Sequence, residues 1–195
     1  MNILFINASP RNNGYTAQTL REICSNIDSQ HECEWVDVNN LNVKPCQGCL
    51  KCRPNKECVL HEDDGHRVAC LIKKADALVL GSPTYFGNIT GPLRTLIDRC
   101  LTAFEEIAAS GMEIPTPLHN GKKAAIVTAC NMPHPGSKLP HQGAGALFAM
   151  ETTVKAGGYD LVGKIMVDGA ASRNGLSEQI KAAAWEIADK LVSYK

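Results

Sequence analysis

The chain has no surplus of charge of either sign: 20 lysines and arginines balance 20 aspartates and glutamates. Without a basic field it has no means of holding nucleic acid or an anionic membrane by overall charge. A small anion must instead be held by local groups. Long apolar runs are missing too. Ile3 to Ile6 is apolar, but Asn2 and Asn7 bound it, far short of the roughly 18 residues a membrane helix needs. No basic start leads into a leader-like stretch, so a soluble cytoplasmic protein is expected. Internal repeats and low-complexity linkers are absent, and 195 residues fit a single domain over 1–195. Also absent are the Gly-Lys-Ser/Thr ending of a Walker loop and the pattern G-x-G-x-x-G.

What is present is an alternation of apolar runs and amphipathic stretches. Asn2 to Ile6, Ala77 to Leu80 and Ala124 to Val127 read as buried strands, Glu32 to Val38 as a strand with interleaved charges, and Leu161 to Val167 as a fifth. Between them, helical spacing predicts Thr16 to Ile27, Arg67 to Lys73, a face through Leu93, Leu96, Ile97, Cys100 and Phe104, Ala144 to Lys155, and a last helix from Leu176 to Leu191 with Asn174 as its cap. Five short strands alternating with five helices predict an α/β fold, a five-stranded parallel sheet covered on both faces. The charged second strand belongs at an edge, which the order 2-1-3-4-5 provides. In such sheets ligands bind outside the carboxyl ends of the strands, at the switch between strands one and three. The loops after Ile6, Leu80 and Val127 are therefore the candidates for function. Two excursions, 39–64 and 105–121, break the pattern.

The first loop, Asn7-Ala8-Ser9-Pro10-Arg11-Asn12-Asn13-Gly14-Tyr15-Thr16, runs from a strand into a helix. A helix start offers unpaired N–H groups and partial positive charge, so it can hold a phosphate. Ser9, Asn13 and Thr16 can add donors and Arg11 a charge. An ordinary capped turn uses the same residue types.

Cysteine is abundant. The nine are odd in number, so they cannot all pair internally, and a secreted disulfide scaffold is shorter and poorer in core residues. Reduced thiols fit better. Five are scattered, and four form the run Cys46, Cys49, Cys52, Cys58 with spacing C-x2-C-x2-C-x5-C. The first three match bacterial ferredoxin spacing. Structural zinc more often uses two C-x2-C pairs set further apart, and a thioredoxin-type site needs only two cysteines. A cluster, zinc, and free or disulfide-forming thiols all stay open on spacing alone.

Ser9-Pro10-Arg11-Asn12-Asn13-Gly14-Tyr15-Thr16 resembles the phosphate loop of the NADPH-dependent FMN reductase-like flavoproteins, a branch of the flavodoxin superfamily. Ser82, Pro83, Tyr85, Gly87, Leu93, Arg94, Asp98 and Arg99 resemble the same family's second flavin loop and the helix after it. The cysteine run resembles that of the iron-sulfur flavoproteins, where it sits in an excursion after the second strand, as 39–64 does here. Cluster-free relatives carry a looser pattern that Pro45-Cys46, Lys56-Glu57-Cys58-Val59 and Asp63-Asp64 also fit.

The resemblance implies a flavodoxin-like fold and bound FMN. Ser9, Arg11, Asn13, Gly14, Tyr15 and Thr16 would hold the phosphate. Pro83, Thr84, Tyr85, Phe86, Gly87 and Asn88 would face the ring, which needs an apolar wall and a few directed hydrogen bonds. Thr128, Ala129 and Cys130 would line the same site by position. Cys46, Cys49, Cys52 and Cys58 would hold a [4Fe-4S] cluster. No acid or base is nominated, because the cofactor carries the chemistry; His134 and His141 are expected to be solvated. NAD(P)H or a ferredoxin-like partner is the expected donor, a small molecule such as a quinone the acceptor, and a homo-oligomer, dimer or tetramer, the expected assembly. The alternatives are a cluster-free NAD(P)H-dependent FMN or quinone oxidoreductase, and a zinc-stabilised protein-binding module.

Overall fold

The computed structural model describes residues 1–106 and 114–193. Five strands, β1 (Asn2–Asn7), β2 (Glu32–Asp37), β3 (Ala77–Pro83), β4 (Lys123–Ala129) and β5 (Asp160–Val167), form one parallel sheet. Its order is β2-β1-β3-β4-β5, the flavodoxin-like α/β arrangement. The principal helices are α1 (Tyr15–Ser25), α2 (Asp64–Lys74), α3 (Gly91–Arg99), α4 (Gly143–Ala156) and α5 (Glu178–Val192). None of the helices among the described residues is long and apolar enough to cross a membrane.

Side chains alternate across a strand, so each central strand feeds two cores. Ile3 and Phe5 point to one face, where Leu20 and Ile23 of α1 and Ile187 and Leu191 of α5 cover them. Leu4 and Ile6 point to the other, under Val68 and Ile72 of α2, Leu93 and Leu96 of α3, and Met150 and Val154 of α4. The charged strand β2 is at the edge, and its Trp35 stacks on Phe5 with ring centroids 4.8 Å apart.

Three local expectations change. Asn174 does not cap the last helix; Ser177 does, its Oγ accepting the N–H of Ile180 at 3.4 Å. Apolar spacing begins at Leu176, but the hydroxyl that can reach back to a first-turn N–H is the later one. The helix expected to run from Leu93 to Phe104 stops at Arg99, and a separate turn follows at Leu101–Phe104. Cys100 leaves the helical path between them, with its Sγ donating to the Gly65 carbonyl at 3.4 Å. Helix α2 starts earlier than periodicity implies, at Asp64, because Asp63 and His66 form a reciprocal capping box. In the excursion 105–121, Glu105–Glu106 pairs antiparallel with Thr116–Pro117, and residues 107–113 lie outside the described residues.

Candidate functional site

The carboxyl ends of β1, β3 and β4 open into a cavity of about 830 Å³, in the size range of cofactor sites. It sits at the switch between β1 and β3, where Asn7 pairs with both Asp37 and Gly81. Asn7 shapes the entry. Its Nδ2 donates to Asp37 Oδ1 at 2.7 Å and its Oδ1 accepts the Ser9 N–H at 3.1 Å. Ser9 Oγ then donates to the Arg11 carbonyl at 2.9 Å, which also accepts the Gly14 N–H at 2.9 Å. The loop thus folds on itself and points the start of α1 at the cavity.

That helix start has free binding capacity. No side chain caps α1, so its first-turn N–H groups face the cavity end without a side-chain acceptor. Thr16 Oγ1 is buried and has no hydrogen-bond partner, a state that costs roughly 1–3 kcal/mol unless a ligand satisfies it. Arg11 is exposed beside it. Tyr15 anchors the other flank, its hydroxyl donating to the Arg173 carbonyl at 2.7 Å and accepting the Gly175 N–H at 3.1 Å. Unpaired N–H groups, one orphaned hydroxyl and one guanidinium make a phosphate cradle. The residues present fit the phosphate end of FMN.

The opposite wall is the loop after β3. Tyr85 and Asn88 exchange N–H to carbonyl bonds at 2.8 and 3.0 Å, closing a two-residue turn over Phe86 and Gly87. Both turn residues are left-handed, Phe86 at φ 53° and Gly87 at φ 73°. Glycine accepts that conformation freely, whereas a bulky residue is strained there by roughly 1–2 kcal/mol. Phe86 is also fully exposed. A strained backbone that presents an uncovered ring at a cavity mouth suits a flat apolar ligand. Phe86→Gly is expected to stabilise the protein by about 1 kcal/mol while weakening flavin binding. Urea melts and a flavin titration of the same variant check both signs.

Of the expected site residues, Ser9, Arg11, Asn13, Gly14, Tyr15, Thr16, Pro83, Thr84, Tyr85, Phe86, Gly87, Ala129 and Cys130 line this cavity. Asn88 and Thr128 sit behind it: Asn88 closes the turn, and Thr128 Oγ1 hydrogen-bonds Thr84 Oγ1 at 3.0 Å. The cavity also takes Met132, His141, Gln142, Ala170 and Ala171. His141 therefore belongs to the wall, and His134 stays exposed outside it. Ala170 and Ala171 follow β5, so extending the carboxyl-end rule to that strand would have found them.

The four clustered cysteines form a separate feature. Cys46 and Cys49 are exposed, and Cys52 and Cys58 are half-buried. Each interval between successive cysteines holds one left-handed residue, Gly48, Leu50 and Lys56. The Gly48 N–H donates to Cys46 Sγ at 3.5 Å. Burial first, and after it the neighbouring Cys58, Cys46 and Cys49 sulfurs, push the Cys52 thiol up against a backbone hydrogen bond that lowers it. Four sulfur donors, with an N–H aimed at one of them, match the donor chemistry of an iron-sulfur centre. Among the described residues, no three His, Cys, Asp or Glu side chains converge into a metal-holding group. The donor chemistry is in place and the convergence is not.

Both ends of this segment are fastened to the fold. Asp63 accepts the N–H groups of Lys44 at 3.0 Å and Gly65 at 2.9 Å and the Arg99 guanidinium at 3.0 Å. Arg99 Nη1 donates to the Lys44 carbonyl at 2.9 Å. His66 Nδ1 accepts the Asp63 N–H at 3.2 Å, which leaves Nε2 to donate to the Cys58 carbonyl at 3.0 Å. Burial works to raise the Asp63 carboxyl, but the two N–H bonds and Arg99 outweigh it and hold it below the usual carboxylate range.

The family model for NADPH-dependent FMN reductase matches residues 1–165. An iron-sulfur flavoprotein of Archaeoglobus fulgidus is 38% identical over 101 residues, which cover 51% of this chain and 48% of that relative. The match thus spans about half the length of each. An iron-sulfur flavoprotein of Clostridioides difficile is 25% identical over 195 residues, 98% of this chain and 78% of that relative. Among solved structures, an FMN-dependent NADH-azoreductase of Bacillus anthracis in complex with FMN superposes with a TM-score of 0.69 at 12% identity, over 97% of both chains. An NAD(P)H:quinone oxidoreductase of Methanothermobacter marburgensis gives 0.65 at 18%, over 100% of this chain and 96% of that one. Those two likenesses bear on the fold, and the match over residues 1–165 bears on descent: the chain belongs to the NADPH-dependent FMN reductase family.

Proposed function

We propose that the chain binds FMN in the cavity above β1, β3 and β4, and that it passes electrons through the flavin and a [4Fe-4S] cluster held by Cys46, Cys49, Cys52 and Cys58. When bound, FMN supplies two-electron and one-electron chemistry and the cluster one-electron transfer. The protein's own residues bind and orient. The first turn of α1, Thr16 and Arg11 take the phosphate, while Tyr85, Phe86 and Met132 offer the ring an apolar wall. Cys130 is buried beside Gln142, its Sγ donating to Oε1 at 3.9 Å, and both line the cavity. The donor on this reading is reduced nicotinamide or a ferredoxin-like protein, and the acceptor a small molecule such as a quinone. One observation carries the flavin part: a buried, partnerless Thr16 hydroxyl at an uncapped helix start. The cluster part is supported by the cysteine spacing and by relatives named iron-sulfur flavoproteins.

A second reading, a cluster-free NAD(P)H-dependent FMN or quinone oxidoreductase, is favoured by the lack of convergence of the thiols among the described residues. Oxygen-free purification with flavin, iron, sulfide and zinc assays separates the two. Flavin with about four iron and four sulfide per chain establishes the first, and flavin without iron establishes the second. The same reading makes the chain a homo-oligomer, dimer or tetramer, with exposed Phe86 and Phe148 at the boundary. Phe148 lines a groove of about 510 Å³ that meets the cavity at Gly87. A monomer in gel filtration overturns that part. Arg11→Ala is expected to weaken FMN about tenfold, roughly 1.5 kcal/mol, the low end for a charge-assisted contact because Arg11 is exposed. Flavin fluorescence titration reads the change, and unchanged affinity removes Arg11 from the site.

A further inference from the structure

Two of the scattered cysteines meet on the opposite side of the fold from the Cys46–Cys58 segment. Cys33 lies in β2 and pairs in register with Ile3 of β1, so its side chain shares the sheet face of Ile3 and Phe5 that α1 covers. Cys24 lies in the last turns of α1, four residues after the buried Leu20, on the helix stripe turned to that face. Both pack against the same apolar cluster, and both are half-buried, so water and small solutes reach them. Burial, and then the neighbouring Cys24 sulfur, push the Cys33 thiol up to about 12. The pair is at the amino end of β2 and the carboxyl end of α1, away from the cavity lining.

We propose that Cys24 and Cys33 form a dithiol that hydrogen peroxide converts to a disulfide, joining α1 to the edge strand β2. One of the two thiols gives its proton to solvent and its sulfur attacks one peroxide oxygen, so that an S–O bond forms, the O–O bond breaks and hydroxide leaves. The other thiol gives its proton to that hydroxide, forming water. Its sulfur then attacks the oxidised sulfur, so that the S–S bond forms, the S–O bond breaks and hydroxide leaves, which takes back the proton given to solvent and becomes the second water. Two thiols and one peroxide yield one disulfide and two waters, with two electrons passing from sulfur to oxygen. A dithiol reductant reverses the change.

Asp28 and Asp37 flank Cys33, and no aspartate precedes Asp28, so cleavage on the amino side of aspartate puts Cys24 in peptide 1–27 and Cys33 in peptide 28–36, apart from Cys46. The full-length protein is treated with peroxide, alkylated, digested and weighed. The expected product is 1–27 joined to 28–36, unalkylated and about 2 Da lighter than the two peptides together, the mass of the two hydrogens lost. It returns to two separate alkylated peptides after dithiol reduction. Cross-linking should raise the melting temperature by several degrees, a gain that Cys33→Ser removes. Separate, alkylated 1–27 and 28–36 at a peroxide dose that oxidises the Cys46–Cys58 segment overturn the proposal. So does sulfinic acid at Cys24 or Cys33 in the native chain.

Discussion

Replacing Arg99 with alanine is expected to lower the unfolding free energy by about 3–5 kcal/mol, the cost of removing one member of a buried ion pair. Arg99 and Asp63 side chains are 1% and 7% exposed. Their mutual attraction barely exceeds the cost of burying both, so the intact pair adds little net stability. Truncating Arg99 leaves the Asp63 carboxylate buried with one cation fewer and the Lys44 carbonyl without its donor. An exposed pair such as Arg94–Asp98 serves as the control, because its loss costs at most about 1 kcal/mol. Urea unfolding followed by circular dichroism measures both. The acid limb carries the same signature. Asp63 is depressed in the folded state, so its contribution is present above the unfolded carboxyl value near 4 and fades as pH falls through the folded value. Arg99→Ala should flatten that fall. The variant should also expose the Cys46–Cys58 segment, since Lys44 and Cys58 are tied down through this network. Alkylation of those thiols should then run faster than in the Arg94→Ala control. Equal stability in the two variants would show that the ion pair anchors nothing.

The fold was legible in the sequence because its signals are local and strong. Ile3-Leu4-Phe5-Ile6 and Ala77 to Leu80 are too apolar for a one-sided strand, which forces a sheet covered on both faces. The charges of Glu32 and Glu34 put β2 at the edge. The cavity was legible where a loop leaves a strand into a helix, as at Ser9 to Thr16. It was hidden where the wall depends on distant packing. His141 reaches the site only because its backbone abuts Gly87, and Ala170 carries no chemical signal of its own. The cysteine spacing supplies a donor set but cannot supply the convergence of the sulfurs. The Asp63–Arg99 link joins residues 36 positions apart, a separation no periodicity reveals.

Gly145→Ala is the sharper probe of how α4 sets the flavin wall. Alanine inside a helix normally gains close to 1 kcal/mol over glycine, so propensity alone predicts stabilisation. The space around Gly145 predicts the reverse. A Cβ there would stand 2.0 Å from the Gly87 carbonyl oxygen and 2.2 Å from that of Pro140, and both are backbone atoms that no rotamer change can clear. Overpacking of this kind costs roughly 1–3 kcal/mol and occasionally more. With two backbone oxygens overlapped, the net loss should be about 3 kcal/mol. The strain has one easy outlet, displacement of the Phe86–Gly87 turn, which already carries a strained residue and lines the cavity. FMN affinity should therefore fall by at least tenfold alongside stability. Ala149→Gly, on the same helix and away from the cavity lining, should cost about 1 kcal/mol and leave flavin binding unchanged. If Gly145→Ala melts higher than the parent, Gly145 has room for a methyl group and the turn does not rest on α4. If stability falls while FMN affinity holds, the turn moves without carrying the flavin, and the wall assigned to Tyr85, Phe86 and Gly87 is wrong.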